Sequence, residues 1–373
     1  MKHVRAPRAR HVLGIIALGL AVAMVAAGCG SSSGGQPVTA GNQSGSKSLS
    51  GAGATFPAPI YEKWFSDFGN KDGVQVNYQA IGSGGGITQF TQGTVDFGAT
   101  DSPMKDDELQ AAEAKGGTVI HIPTVIGAIV VTYNVPGVSS PLKMDGKLVG
   151  DIFLGKVKTW NDPEITSQNP GVSLPSKPIL TVHRSDGSGT TDNFTKFVAA
   201  QNPEFLSKVG QGKEVKWVGG VGGKGNDGVT AAVKQTEGSV GYVELNYALT
   251  NKLAFADIKN SAGKYITPSI ESTTAAAADT AAVPDDFRVS LVNAKAADAY
   301  PIATWTFLIV FQKQPDAAKG KTLTNLLWFA THDGQSEATS LSYAPLPTSV
   351  IPRVEAKIKS ITGSDGAALY TGQ

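Results

Sequence analysis

The stretch Arg184-Ser185-Asp186-Gly187-Ser188-Gly189-Thr190 does most to constrain the fold. It closes an apolar run, Pro178-Ile179-Leu180-Thr181-Val182, and opens a segment of helical character over residues 191–200. A strand that turns through glycines and hydroxyls into a helix start is a place where an anion can sit. The first helical turn has backbone N–H groups without intrahelical partners and the positive end of the dipole. Glycine lets the backbone approach a ligand closely, and Ser188 and Thr190 add hydroxyl donors. Ser, Thr, Asp and Gly are also what any helix start prefers, and taken alone the stretch reads as an ordinary N-cap turn.

Two similar starts occur upstream. Leu49-Ser50-Gly51-Ala52-Gly53-Ala54-Thr55-Phe56-Pro57-Ala58-Pro59 is a glycine-rich turn followed by Ile60, Trp64, Phe65 and Phe68 at helical spacing. Pro57 suits the first helical position, where its missing N–H would have had no partner. Ile81-Gly82-Ser83-Gly84-Gly85-Gly86 precedes Ile87-Thr88-Gln89-Phe90. Between these starts and the next, residues 94–104 read as a short alternating strand that ends in Asp101 at a turn. A carboxylate there is a turn former or cap, or it accepts a hydrogen bond from a protonated ligand. Asp106 and Asp107 read as caps of the helix through Leu109.

Apolar runs alternate with helix-period segments along the folded part, the pattern of an α/β protein. The β-branched run over residues 121–133 reads as a buried strand, and residues 305–311 as another. Leu323, Leu326, Leu327 and Ala330 then give an apolar helix face. Two such strands flanking a central block fit a chain that leaves one domain, builds another and returns. They fit two core strands of one large domain equally well.

At the N-terminus, Lys2, Arg5, Arg8 and Arg10 precede an uncharged apolar run over residues 12–27, too short and one-sided for a comfortable membrane span. Residues 1–28 read as a secretory signal. Ala26-Ala27-Gly28 before Cys29, the single cysteine, has the layout of a lipoprotein cleavage site, with Ala26 where Leu is usual. Cleavage there would leave Cys29 to carry a lipid (palmitate among its acyl chains). The alternatives are an incidental cysteine on a secreted protein or a retained anchor. Residues 29–48 have almost no large apolar side chains and read as a Gly/Ser tether. Removing residues 1–28 takes four basic and no acidic residues from totals of 32 and 31, so the mature chain has 28 against 31, a net charge of −3. That excludes a basic nucleic-acid binder and makes any anion site a local affair.

Enzyme signatures fail one by one. Gly220-Val221-Gly222-Gly223-Lys224-Gly225-Asn226-Asp227 would need Gly at Val218 and Ser or Thr at Gly225 to be a Walker A loop, and is read as a surface turn. Asp186 occupies the place of the first glycine of a nucleophile elbow. His121, His183 and His332 are scattered, with no metal-ligand spacing.

The segments 51–59, Ile81-Gly82-Ser83, Val95-Asp96-Phe97-Gly98-Ala99, Pro123-Thr124-Val125-Ile126-Gly127, Asp186-Gly187-Ser188-Gly189-Thr190 and 222–228 resemble, in order, motifs of the phosphate-binding proteins (PstS family) of bacterial ABC phosphate importers. The resemblance runs from about Leu49 to the region of Leu346-Pro347. It implies a two-lobed, type II-like periplasmic binding fold crossed twice by the chain. Residues 49–128 and 303–373 would form lobe I, and 129–302 lobe II. It implies phosphate contacts at Ala54, Thr55, Phe56, Ser83, Asp101, Arg184, Ser188, Gly189 and Thr190, with Asp186 pairing Arg184. Gly84 and His183 depart from the common family pattern, which often has a second Ser and sometimes Arg there. No catalysis, cofactor, metal or nucleic acid is implied. The implied partners are inorganic phosphate and an ABC permease–ATPase complex, for a monomer lipid-anchored on the extracytoplasmic face of the cell membrane. The alternatives are a secreted phosphoester hydrolase, a receptor for another protonated tetrahedral oxyanion such as arsenate, and a surface sensor or adhesion protein.

Overall fold

The apolar runs form a mixed sheet whose central strand is buried along its whole length. The computed structural model of the chain describes residues 45–138, 141–278, 283–370 and 372. The expected signal segment, Cys29 and most of the tether lie outside the described residues. Within them, no helix is long and apolar enough to cross a membrane.

Nine strands make the main sheet: β1 (Ser48–Gly53), β2 (Gln75–Ala80), β3 (Phe97–Thr100), β4 (Val119–Tyr133), β5 (Leu180–Arg184), β6 (Val221–Gly223), β7 (Ser239–Glu244), β8 (Ala254–Phe255) and β9 (Ala303–Phe311). Their order is β2-β1-β3-β9-β4-β7-β5-β6, with β8 on β4. The flanks β2-β1-β3 and β7-β5-β6 are parallel, whereas β9 and β4 run antiparallel to their neighbours. All fifteen residues of β4 are buried, as a β-branched strand covered on both faces should be. Its first part, Val119 to Ala128, pairs with β9, and from Ile129 to Tyr133 it pairs with β7. One continuous strand therefore serves two α/β halves, and β9 carries the chain back into the first.

The helices that matter for the site follow parallel strands. They are α1 (Ala58–Asp72) after β1, α2 (Ser83–Thr91) after β2, α3 (Asp106–Gly116), α4 (Gly189–Gln201) after β5 and α5 (Gly225–Gln235) after β6. Later in the chain, α6 (Ala317–Thr331) buries Leu323, Leu326, Leu327 and Ala330. Helix α1 starts one residue later than its first proline suggests. Pro57 precedes the helix and Pro59 lies in the first turn. At α3 the closing bond comes from Glu108, whose carboxylate accepts the Lys105 N–H at 2.8 Å, while Asp107 bonds the next N–H. Packing also begins before Leu49. Ser46, read as tether, donates its N–H to the Ala318 carbonyl at 3.0 Å.

Candidate functional site

Four helix starts, of α1, α2, α4 and α5, follow the carboxyl ends of parallel strands, where open α/β sheets bind their ligands. The loop from β1 to α1 is held by its carbonyls. Ala54, Thr55 and Phe56 each give their C=O to a tyrosine hydroxyl: Tyr78 at 2.7 Å, Tyr247 at 2.6 Å and Tyr343 at 2.7 Å. The Ala54 N–H goes to the Ala99 carbonyl at 3.0 Å. Among the described residues no protein acceptor takes the Thr55 or Phe56 N–H, so both remain available to a ligand.

The two halves meet across this loop and the start of α2. The Gly189 N–H donates to Ser83 Oγ at 3.1 Å, the Gly84 N–H to the Gly187 carbonyl at 2.9 Å, and Asn193 Nδ2 to the Asp101 carbonyl at 2.8 Å. Lys213 reaches Glu108 at 2.8 Å and takes the Ser188 N–H on its own carbonyl at 3.0 Å. Glycine is required by space: a Cβ on Gly189 would stand 2.7 Å from Ser83 Oγ and 2.9 Å from the Asp101 nitrogen. At Gly82, with φ 93°, it would stand 2.2 Å from Asp186 Oδ2.

Hydroxyls in this cluster have their oxygens occupied by N–H donors. Ser188 Oγ accepts the Thr191 N–H at 3.0 Å, the N-cap bond anticipated for α4. Ser83 Oγ accepts from Gly189 and, at 3.3 Å, from the Asp101 N–H. A hydroxyl carries one hydrogen and two lone pairs, so Ser83 Oγ, with both lone pairs filled, has its hydrogen left to give, here to Asp101 Oδ2 at 3.4 Å.

The charges are few and buried. The Arg184 side chain is 1% exposed and forks onto Asp186, with Nε at 2.8 Å from Oδ1 and Nη2 on Oδ2. Asp186 Oδ1 also takes the Gly225 N–H at 2.9 Å. Burial works against the Asp186 charge, but the guanidinium and that N–H outweigh it and hold the carboxyl below its usual range. Asp101, 1% exposed, faces them from the other half. Its Oδ1 accepts from Thr306 Oγ1 at 3.0 Å, and its carbonyl from Thr304 Oγ1 at 2.7 Å. Burial pushes its carboxyl up to about 7, against the pull of Thr306, Arg184 and Ser83. The site therefore combines backbone and hydroxyl donors, one neutralised guanidinium and one carboxyl poised near neutrality.

All the residues anticipated from sequence lie on these helix starts and strand ends. Others were not anticipated: Asn226, Asn193, Thr304, Thr306, Tyr242 and the three tyrosines on the β1–α1 loop. The segment 220–227 is not a surface turn throughout. Its first residues are exposed, but Gly223, Gly225 and Asn226 are buried where β6 passes into α5. His183 stays outside the cluster, stacked on Trp217 with centroids 4.9 Å apart. Among the described residues, no group of three His, Cys, Asp or Glu side chains could hold a metal ion.

A family model for the PBP superfamily domain matches residues 38–331. The phosphate-binding protein PstS of Xylella fastidiosa (strain 9a5c) is 42% identical over 316 residues, 84% of this chain and 85% of that protein. The chain belongs to the PstS phosphate-binding protein family. PstS of Pasteurella multocida (strain Pm70) is likewise 42% identical, over 87% of this chain and 94% of its own length. Among solved structures, the periplasmic phosphate-binding protein PfluDING bound with phosphate superposes with a TM-score of 0.66 at 22% identity, covering 87% of this chain and 96% of that one. A phosphate binding protein from Stenotrophomonas maltophilia gives 0.64 at 21%, covering 83% and 94%. The PstS family's two-lobed periplasmic binding fold is the fold of this chain.

Proposed function

We propose that this PstS-family chain binds inorganic phosphate between its lobes and delivers it to the permease of an ABC importer. The supporting observation is the donor-rich cluster of helix starts around the buried Arg184 and its partner Asp186, faced by the buried Asp101 carboxyl from the other half. Backbone N–H groups of Thr55 and Phe56, the hydroxyls of Thr55, Ser83, Ser188 and Thr190, and the Arg184 guanidinium would meet the oxygens, with Ala54 and Gly189 lining the turns. Asp186 offsets Arg184, so dipoles supply most of the neutralisation. Asp101 would accept the ligand's O–H, which phosphate retains near neutral pH and sulfate lacks.

In this reading lobe I comprises residues 49–128 and 303–373, and lobe II residues 129–302. The change of partner along β4 between Ala128 and Ile129 supports that division. The PstS names of the relatives and the signal-like N-terminus support an extracytoplasmic protein held to the membrane by a lipid on Cys29. Calorimetric titration with inorganic phosphate should give one site per chain with the phosphate recovered unchanged. A flat titration would overturn the reading.

Gly189 offers a sharper test of closure. Its φ is outside the left-handed region and it begins a helix, so alanine suits the backbone there. The added methyl has no room beside Ser83 and Asp101 when the lobes meet. Gly189→Ala should therefore melt at or near the wild-type temperature yet bind phosphate at least about tenfold more weakly, because overpacking a tight contact costs roughly 1–3 kcal/mol. Scattering of the variant with phosphate should show a more open particle than the wild type with phosphate.

A further inference from the structure

Asn226 makes four hydrogen bonds inside the cluster and is completely buried, yet none of the proposed phosphate contacts uses it. It sits at the start of α5, in the lobe II block, between threonines from both lobes. Its backbone N–H donates to Thr55 Oγ1 at 3.0 Å, and its Nδ2 donates to Thr55 Oγ1 at 2.9 Å and to Thr190 Oγ1 at 3.3 Å. Its Oδ1 accepts the Glu244 N–H at 2.9 Å.

The last bond fixes the amide. A backbone N–H can only donate, so the oxygen of the Asn226 amide must face Glu244 and its NH2 must face the two threonines. Thr55 Oγ1 then has both lone pairs filled by Asn226. Thr190 Oγ1 receives Asn226 Nδ2 and, at 3.4 Å, Arg184 Nη1. Neither oxygen has a lone pair left for a ligand proton, and each hydroxyl hydrogen is free to point outward.

We propose that Asn226 is a positioning residue of the site: it holds the hydroxyls of Thr55 and Thr190, one from each lobe, as obligate donors to the bound oxyanion. This rests on the phosphate reading above. It gives the two threonines a fixed polarity that a rotating hydroxyl lacks, and it forms fully only when α1, α4 and α5 converge. Through the Glu244 N–H, the orientation is anchored to β7, which pairs directly with β4.

The test is a cycle of phosphate titrations on the full protein. Asn226→Leu should weaken phosphate binding about thirtyfold, as expected for losing the alignment of two hydroxyl donors. In a Thr55→Val background the same substitution should cost no more than about threefold, since only the Thr190 hydroxyl remains to be aligned. In a Thr55→Ser background, which restores the hydroxyl, the full factor should return. An equal loss in all three backgrounds, or no loss in any, would overturn the proposal, because a purely structural role does not depend on the Thr55 hydroxyl. If Asn226→Leu fails to fold, Asn226→Asp keeps the acceptor for Glu244 and the backbone N–H but replaces the NH2 donor. Its charge repels phosphate equally in every background, so a smaller loss with Thr55→Val again supports the proposal and an equal loss overturns it. Absence of phosphate binding by the wild type would instead refute the phosphate reading itself.

Discussion

Arg184→Met will reduce phosphate affinity by roughly a thousandfold or more. In the folded chain the guanidinium, itself buried, occupies both oxygens of the partly exposed Asp186 carboxylate and directs Nη1 toward Thr190. Truncating it leaves the Asp186 carboxyl facing the dianion, with the Gly225 N–H as its remaining partner here. Removing one member of a buried pair costs about 3–5 kcal/mol because the other charge is left uncompensated. The same substitution removes the one cation of the ligand set, and a charge-assisted bond adds about 1.5–3 kcal/mol. The stability effect has a definite sign with pH. Asp186 is held below its ordinary value in the wild type, so its contribution is present above the unfolded carboxylate value of 3.8 and is lost as pH falls through the lower folded value. The melting temperature of Arg184→Met should thus fall furthest below wild type at neutral pH, with the gap narrowing in acid. Arg184→Met/Asp186→Asn should recover most of the stability and little of the affinity. Binding within tenfold of wild type by calorimetry would remove Arg184 from the site.

What the sequence revealed about this cluster follows the range of the interactions involved. Ser188, Gly189 and Thr190 are legible because a helix start is specified locally, by the cap and the glycines beside it. The loop 54–56 is legible for the same reason, but its supports are not: Tyr78, Tyr247 and Tyr343 stand 24, 192 and 287 residues from the carbonyls they hold. In a linear reading they are core aromatics. Thr304 and Thr306 alternate within an apolar strand, and their role appears only when β9 pairs with β3 and brings them to Asp101. Asn226 was partly within reach. A glycine-rich turn followed by Asn and a helix-period segment has the same local signal as residues 186–190, and segment 222–228 already stands among the family-like motifs, but nothing local singles out its asparagine. The division of the fold shows the same limit. Two long apolar strands are compatible with one domain or two, and the change of partner along β4, which bears on that choice, is a tertiary fact.

Asp101→Asn should change which anion is accepted more than how tightly phosphate is held. In the wild type Oδ1 is occupied by Thr306, and Oδ2, with Ser83 Oγ at 3.4 Å, is the better placed to receive a ligand proton. An ionised carboxylate there welcomes the O–H of phosphate and repels the unprotonated oxygens of sulfate. Leaving such a buried pair unmade costs about 1–3 kcal/mol, before the repulsion is counted. Burial, however, raises this carboxyl to about 7, and a protonated Asp101 can donate to sulfate. Sulfate should therefore bind best below pH 7, where Asp101 already carries its proton, and lose up to about tenfold in affinity per pH unit above it, since there sulfate must bring a proton with it. Asparagine can donate or accept, so the variant should bind sulfate roughly a hundredfold better than wild type at pH 8, with little dependence on pH. The same group predicts a trend in the unliganded protein. A carboxyl raised from 3.8 to about 7 contributes stability that is full below 3.8 and is lost as pH rises through 7. Asp101→Asn should flatten that part of the melting profile. Competition titrations of phosphate against sulfate at pH 6 and pH 8, on wild type and variant, read both effects. Sulfate affinity that responds neither to the substitution nor to pH would rule out Asp101 as the selecting group.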